Sequence, residues 1–470
     1  MYPAVHWIKV RRASRNRATA IRRSRSAAQG AARLDPDRLL VRELGLRQLT
    51  AHIFNYTVGS GIFVLPAIAA AQLGTAAPIA YLACAAVMAF VVMIFAEAGS
   101  RVTATGGPYA YIEVGLGPYF GLVAGILLNV AQIASGGAIV ALLGQTAARL
   151  LGLEDAAWPF TLTASLVAVL VFANVRGLRF GARIVEWSTA AKLVPLLFFV
   201  LVGVWFITPS HLRIDALPEA SQLAASTGML IFAFVGVESA LMPTGEVRDA
   251  ARTVPLATML ALGAATLLYL AVQAVATGLL GPALAQDTVA PLAGAARTFA
   301  GSAGASLLLA GATISMLGWA TGAILAAPRT LFAMARDGSL PRWLSAVHPL
   351  HHTPYAAILT YGTLVLAVSA SGTFAQLAVL ASMSVLGVYV LGALAVLALR
   401  RKDVRTERAP LRLPGGPLVP VITCVLIGWI ALQTATRKEV LAFAGVWMLS
   451  LVIHGWRRAR AARQSDGGTT

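Results

Sequence analysis

Charge is what this chain has least of. Only 12% of its 470 residues are charged and only 19 are acidic, whereas ordinary soluble domains carry about 25% charge. With 58% hydrophobic residues and a mean hydropathy of +0.76, a single water-soluble core is excluded and a polytopic membrane protein is expected. Cysteine is almost absent. Cys84 and Cys424 both lie inside apolar runs, which argues against a disulfide framework or a cysteine-held metal. The chain also lacks His-Glu-x-x-His and Gly-x-x-x-x-Gly-Lys. Gly115-Leu116-Gly117 has no preceding strand to make it a dinucleotide fingerprint, and no charged ring suggests a channel filter. Neither enzyme chemistry nor a metal or cofactor is expected.

What is present is apolar sequence in membrane-length pieces. A crossing needs about 20 predominantly apolar residues. On that basis the chain divides into twelve segments: 47–73, 77–99, 119–150, 159–175, 183–207, 222–244, 255–280, 302–335, 355–371, 374–399, 416–434 and 440–456. The formal net charge of +18 does not form a nucleic-acid patch, because the basic residues sit in alternate connections and at the two ends. If the N-terminus is inside, 31 Lys and Arg fall on the inner side. Only Arg149, Arg213, Arg297, Arg437 and Lys438 fall outside. That is the positive-inside pattern, and it predicts a multi-pass protein of the cytoplasmic membrane with both termini cytoplasmic. Residues 1–45 read as a basic, disordered cytoplasmic tail attracted to anionic headgroups, not as a secretory signal. Residues 46–456 form the expected membrane domain, and 457–470 a cytoplasmic C-terminal tail.

Two of the apolar segments are interrupted. Gly59-Ser60-Gly61-Ile62-Phe63 lies near the middle of the first, and Phe234-Val235-Gly236-Val237-Glu238-Ser239 breaks the sixth. Unwound backbone at membrane depth is tolerated only where it is buried in protein or lines a cavity. Paired interruptions in corresponding halves point to a secondary transporter's binding site. If the breaks correspond, segments 1–5 and 6–10 are repeats of five. An odd number forces opposite orientations, so repeat one (47–207) and repeat two (222–399) are inverted, with two helices (416–456) appended.

Several motifs then resemble one family in order and spacing. They are Gly59-Ser60-Gly61-Ile62-Phe63; Glu97 followed by Gly106-Gly107-Pro108-Tyr109-Ala110-Tyr111 and Gly117; and Phe234-Val235-Gly236-Val237-Glu238 with Gly245-Glu246-Val247 and Arg252-Thr253-Val254-Pro255. Met334-Ala335-Arg336-Asp337-Gly338 with Leu340-Pro341 and Thr353-Pro354 completes the set. From about Leu44 to His454 the chain resembles the amino acid–polyamine–organocation (APC) permeases. It departs after Glu246, where Asp249-Ala250 replaces the usual asparagine-proline pair. The resemblance implies an all-α membrane fold shared with the bacterial leucine transporter, and amino acids or related amines as substrates.

An amino acid offers a carboxylate and an ammonium, and the two breaks offer a partner to each. Unwinding at Gly59, Ser60 and Gly61 exposes N–H groups, Ile62's among them, at the start of the following half-helix, where a carboxylate is favoured. Carbonyls of Phe232, Ala233 and Phe234, ahead of Gly236, suit an ammonium. Phe232 and Phe234 are expected to cap the substrate. Asn129 and Gln132 on the third segment, and Ser315 and Trp319 on the eighth, are expected to line the pocket.

Two ionisable residues lie at membrane depth. Lys192 stands about 13 Å into its segment at 1.5 Å per residue. An intramembrane lysine is a functional-site hypothesis by default. Its ammonium can satisfy carbonyls freed in the first break. By the resemblance, it can stand where sodium-coupled relatives hold a sodium ion between helices 1 and 8. Glu238 follows Gly236, and relatives with Gly-Val-Glu-Ser here use that carboxylate in pH response or gating. Burial penalises charge, so both are candidates for proton coupling. The charged residues at the inner helix ends, Glu97, Arg101, Glu246, Arg252, Arg329 and Arg336, are read as snorkelling or gating pairs. The reading is a proton-coupled permease for a neutral amino acid, with an exchanger as alternative and a non-transporting sensor behind it. Its partners are the small-molecule substrate, protons and the lipid bilayer, with no nucleic acid.

Overall fold

The computed structural model describes residues 45–102, 108–153, 155–177, 181–214, 216–236, 247, 250–336, 338–404, 411, 413 and 415–466. Among these the regular elements are all helical. They are α1 (Leu46–Thr57), α2 (Leu65–Leu73), α3 (Ala77–Arg101), α4 (Pro108–Leu116), α5 (Pro118–Leu150), α6 (Trp158–Val175) and α7 (Gly181–Gly203). Then follow α8 (Ala220–Phe234), α9 (Ala250–Leu280), α10 (Pro291–Arg336), α11 (Tyr355–Ser371), α12 (Phe374–Arg401), α13 (Leu418–Thr434) and α14 (Arg437–Asp466).

Among the described residues, seven helical stretches are long and apolar enough to cross a bilayer, and four shorter apolar helices accompany them. Leu201, Leu267, Leu432 and Val452 point outward at 64–79% exposure. A belt of large exposed aliphatics is a liability in water but ordinary against lipid. This is an all-α, multi-pass membrane protein.

Two helical pieces lie where the sequence was read as connection. α4 falls in the connection after α3. Pro108 opens it, as suits a first helical turn, and Ala110, Tyr111 and Ile112 are buried. α4 packs so closely on α12 that a methyl on Gly115 would stand 3.0 Å from Ala395 Cα. α10 begins at Pro291, well before the expected 302, because Gly301 (φ 60°, ψ −152°) kinks the chain between a short helical piece and the long one.

The interior is built by helices in close contact through small residues. α5 packs on α10, α11 and α12, and α10 packs on α7. A methyl at Gly311 of α10 would stand 2.3 Å from Pro195 Cγ of α7, so that crossing admits no side chain.

Ion pairs stand near helix ends. Glu97 is fully buried at the end of α3. It accepts Arg101 Nε (3.0 Å) and Nη2 (2.9 Å), Arg400 Nε (2.7 Å) and Nη2 (2.6 Å), and the Leu413 N–H (3.1 Å). Two guanidinium groups and a backbone donor surround one carboxylate, which a charge so far from water requires. This node ties α3 to α12 and to the chain at Leu413. At another helix end, Arg149 of α5 meets both oxygens of Asp287 at 3.0 Å, beside a cleft of about 770 Å³ walled by α5, residues 152–153 and 155–156, the start of α6, Asp287, Val289, Ala290 and α10.

Candidate functional site

The first break is visible as hydrogen-bond bookkeeping. α1 makes its last i→i−4 bond from Val58 N–H to Phe54 O (2.8 Å). Val58 then takes φ −76°, ψ 79°, the geometry of an inverse γ-turn, and Gly59 N–H bonds Thr57 O at 2.8 Å. That bond diverts Gly59 from Asn55 O, its helical acceptor. A 3₁₀ turn at Gly61–Phe63 restarts the helix, with Phe63 N–H on Ser60 O and Val64 N–H on Gly61 O, both 3.1 Å. The N–H groups of Gly61 and Ile62 precede those first bonds, so the new half-helix presents its positive end at the break.

Lys192 supplies the missing donor. It is 5% exposed on α7, and its Nζ lies 2.6 Å from both Asn55 O and Val58 O. Charged hydrogen bonds of this kind contribute about 1.5–3 kcal/mol each.

The second break follows α8. Val235 (φ −58°, ψ 132°) donates to Ile231 O at 3.0 Å. Gly236 then turns to φ +112°, a conformation open to glycine and costly to others. A Cβ there would stand 3.2 Å from Tyr56 O, so the second break sits against the first. Likewise, a Cβ on Gly61 would stand 3.4 Å from Ala233 Cα.

Between the breaks is a cavity of about 30 Å³, lined by Tyr56, Thr57, Gly59, Ser60, Gly61, Ser135, Ile139, Phe232, Ala233, Val235 and Trp319. That volume holds a water or two and must expand to take an amino acid. Ser60 Oγ is buried with no hydrogen-bond partner among the described residues. One flank is closed by Phe232, stacked edge-on against Phe374 at 5.4 Å.

The cavity therefore gathers Gly59, Ser60, Gly61, Phe232, Ala233 and Trp319 from the sequence-derived set and leaves others outside. Ile62 is buried just beyond the lining. Phe234 is fully buried but turns to Tyr269, edge-on at 5.1 Å. Gly236 shapes the turn and borders Tyr56. Asn129 is used within the helix packing, its amide donating to Gly125 O (2.8 Å) and Met334 Sδ (3.2 Å). The Gln132 carbonyl accepts Tyr361 Oη at 3.2 Å. Ser315 is one turn from Trp319 on α10, buried and outside the lining. Glu238 lies outside the described residues.

Ser135 and Ile139 join the lining unannounced; they are an i, i+4 pair on one face of α5. Tyr269 of α9 gave no signal. Its hydroxyl stands 2.9 Å from Thr57 O and 2.7 Å from Ala233 O, one carbonyl from each break.

Comparison with known proteins places the chain in a family. The amino acid permease family model matches residues 44–454. The chain belongs to that family, within the APC superfamily. It is 33% identical over 447 residues to the uncharacterized transporter Rv1999c of Mycobacterium tuberculosis, covering 93% of this chain and 96% of that one. It is 25% identical over 421 residues to the branched-chain amino acid permease BcaP of Bacillus subtilis, covering 84% and 90%. A methylthioribose transporter of the same organism is 26% identical over 430 residues, covering 88% and 91%. The permease family marks this chain as an amino acid transporter.

Proposed function

We propose that this permease imports a neutral, aliphatic amino acid with a proton by alternating access. The observation that carries the reading is the meeting of two broken helices at one cavity, with the Lys192 ammonium on the carbonyls of the first. The positive end of the second half-helix, at Gly61 and Ile62, receives the carboxylate. Carbonyls at the end of α8 receive the ammonium. Ile139, Phe232, Val235 and Trp319 supply apolar wall, and no charged side chain lines the cavity among the described residues. That wall favours an aliphatic side chain, in keeping with the branched-chain permease name of BcaP.

Lys192 is proposed to fill the position of a coupling sodium and to carry the coupling proton, with Glu238 as its partner in proton coupling. The twelve crossings, the inverted repeats and cytoplasmic termini belong to the same proposal, supported by the lysine and arginine asymmetry. A second reading has one observation behind it. The methylthioribose transporter is as similar as the amino acid permeases, so a thioether sugar is the alternative cargo.

The test is uptake into proteoliposomes of pooled labelled amino acids, with an inward proton gradient and no sodium. Accumulation carried by leucine, isoleucine and valine and collapsed by a protonophore is expected. Uptake that needs preloaded vesicles and ignores the protonophore overturns symport in favour of exchange. Accumulation of methylthioribose alone overturns the amino acid assignment.

A further inference from the structure

Tyr269 lies on α9, outside both broken segments, yet its ring is buried against them. A tyrosine hydroxyl has one proton to donate, and here two carbonyl oxygens stand within reach, Thr57 O at 2.9 Å and Ala233 O at 2.7 Å. The two acceptors are not equivalent. Thr57 O already accepts the Gly59 N–H, so it loses little when the hydroxyl turns away. Ala233 lies in the last turn of α8 and also lines the cavity. An ammonium in that cavity has three N–H donors and no acceptor, and it competes with the hydroxyl for Ala233 O.

We propose that Tyr269 is a positioning residue that ties the two breaks together while the cavity is empty and yields Ala233 O to the ammonium of the bound solute. Its single proton then turns wholly to Thr57 O. The yielding step rests on the amino acid permease reading; the tie rests on the two contacts alone. The empty protein depends on the hydroxyl to hold the breaks in register. The loaded protein has the solute's ammonium in its place. Removing the hydroxyl therefore harms the steps in which the empty carrier changes face, and spares those in which solute is aboard.

Tyr269→Phe removes the oxygen and keeps the ring against Phe234. The first measurement uses no solute. With Ser135→Cys as reporter on the cavity wall, labelling by a small methanethiosulfonate, which forms a mixed disulfide with the thiolate and releases methanesulfinate, is compared with and without Tyr269→Phe, and the protein lacking the reporter is the blank. Labelling about fivefold faster in the Phe background is expected, the equivalent of one neutral hydrogen bond of ~1 kcal/mol. Equal rates overturn the tie.

The second measurement uses L-leucine in proteoliposomes. Tyr269→Phe is expected to lower net uptake into empty vesicles about fivefold, while exchange into leucine-loaded vesicles stays within about twofold. Equal losses in both modes overturn the yielding of Ala233 O. A wild-type protein with no leucine flux in either mode defeats the substrate reading, and the labelling experiment still decides the tie.

Discussion

Lys192→Met is the sharpest perturbation of the first break. Methionine keeps the length and apolar stem of lysine and deletes the ammonium. Two bonds of 2.6 Å, to Asn55 O and Val58 O, are lost, and two buried carbonyls lose this donor. Each bond to a charged group is worth about 1.5–3 kcal/mol, and each orphaned buried carbonyl costs about 1–3 kcal/mol. These describe the same two contacts from two sides and do not add, so the attachment of α1 to α7 weakens by about 3–5 kcal/mol. At 1.4 kcal/mol per decade, opening of α1 becomes at least about a hundredfold more frequent. Amide hydrogen exchange over Leu46–Thr57 reads this directly, with α5 and α12 in the same sample as folding controls. Proton-driven amino acid uptake is expected to fall to background. Wild-type uptake together with unchanged exchange over α1 would refute the reasoning, because neither the clamp nor the coupling would then need the ammonium.

The glycines of the breaks separate into those that need the absence of a Cβ and those that do not. Gly236→Ala must hold alanine at φ +112° with its methyl 3.2 Å from Tyr56 O. It is expected to cost about 1–3 kcal/mol and at least tenfold in uptake, whereas Gly59→Ala, whose methyl meets nothing nearer than Trp319 Cδ1 at 3.9 Å, keeps most of it. Asp287 carries a pH signature. Partial burial opposes its ionisation, but the Ala290 and Val289 N–H groups and the Arg149 guanidinium outweigh it and hold the carboxyl below its ordinary value of 3.8. A depressed folded value stabilises above the unfolded value and is lost as pH falls through the folded one. Exchange protection at residues 287–290 is therefore expected to be flat from neutral pH to about 4 and to fall below that, and Asp287→Asn is expected to remove the step. The effect is small and salt-sensitive, since both partners of the pair are solvent-accessible.

The first break and its lysine were legible because each violates a local rule. Gly-Ser-Gly inside an apolar run spoils helix propensity, and a lysine at membrane depth is too costly to be idle. The small-residue chemistry located the cavity to within a few positions. Orientation around a helix was less legible. α5 is buried on almost every side, so it has no polar face to show which residues line the site. Asn129 turned to Gly125 and Met334, while Ser135 and Ile139 reached the cavity. Phe232 and Phe234 lie two residues apart on a helix and so point about 200° apart at 3.6 residues per turn. One faces the cavity and the other faces Tyr269. Arg400 entered the sequence as one of several inner arginines, and only the return of the chain at Leu413 shows that it shares Glu97 with Arg101. Tyr269 had no signature at all, because its importance depends on two carbonyls from separate segments converging on it.

Lys192 also shows how a proton can control access on the proposed mechanism. A broken helix in lipid must find donors for its freed carbonyls, so the donor that satisfies them also decides how firmly the half-helix is held. As an ammonium, Lys192 makes two charge-assisted bonds to Asn55 O and Val58 O. As a neutral amine it keeps donors for the same oxygens, but neutral bonds contribute only about 0.5–1.5 kcal/mol each against about 1.5–3 kcal/mol for charged ones. Loss of the proton thus weakens the grip on α1 by an amount on the order of 1–3 kcal/mol over the two bonds, without orphaning either carbonyl. That is the scale on which a conformational equilibrium can be shifted by ten- to a hundredfold, and Lys192→Met cannot imitate it, because it removes the donor along with the charge. On the proposed mechanism the coupling residue is one that can lose its charge and keep its hydrogen bonds, and among the described side chains that donate to the first break, lysine at position 192 meets both conditions.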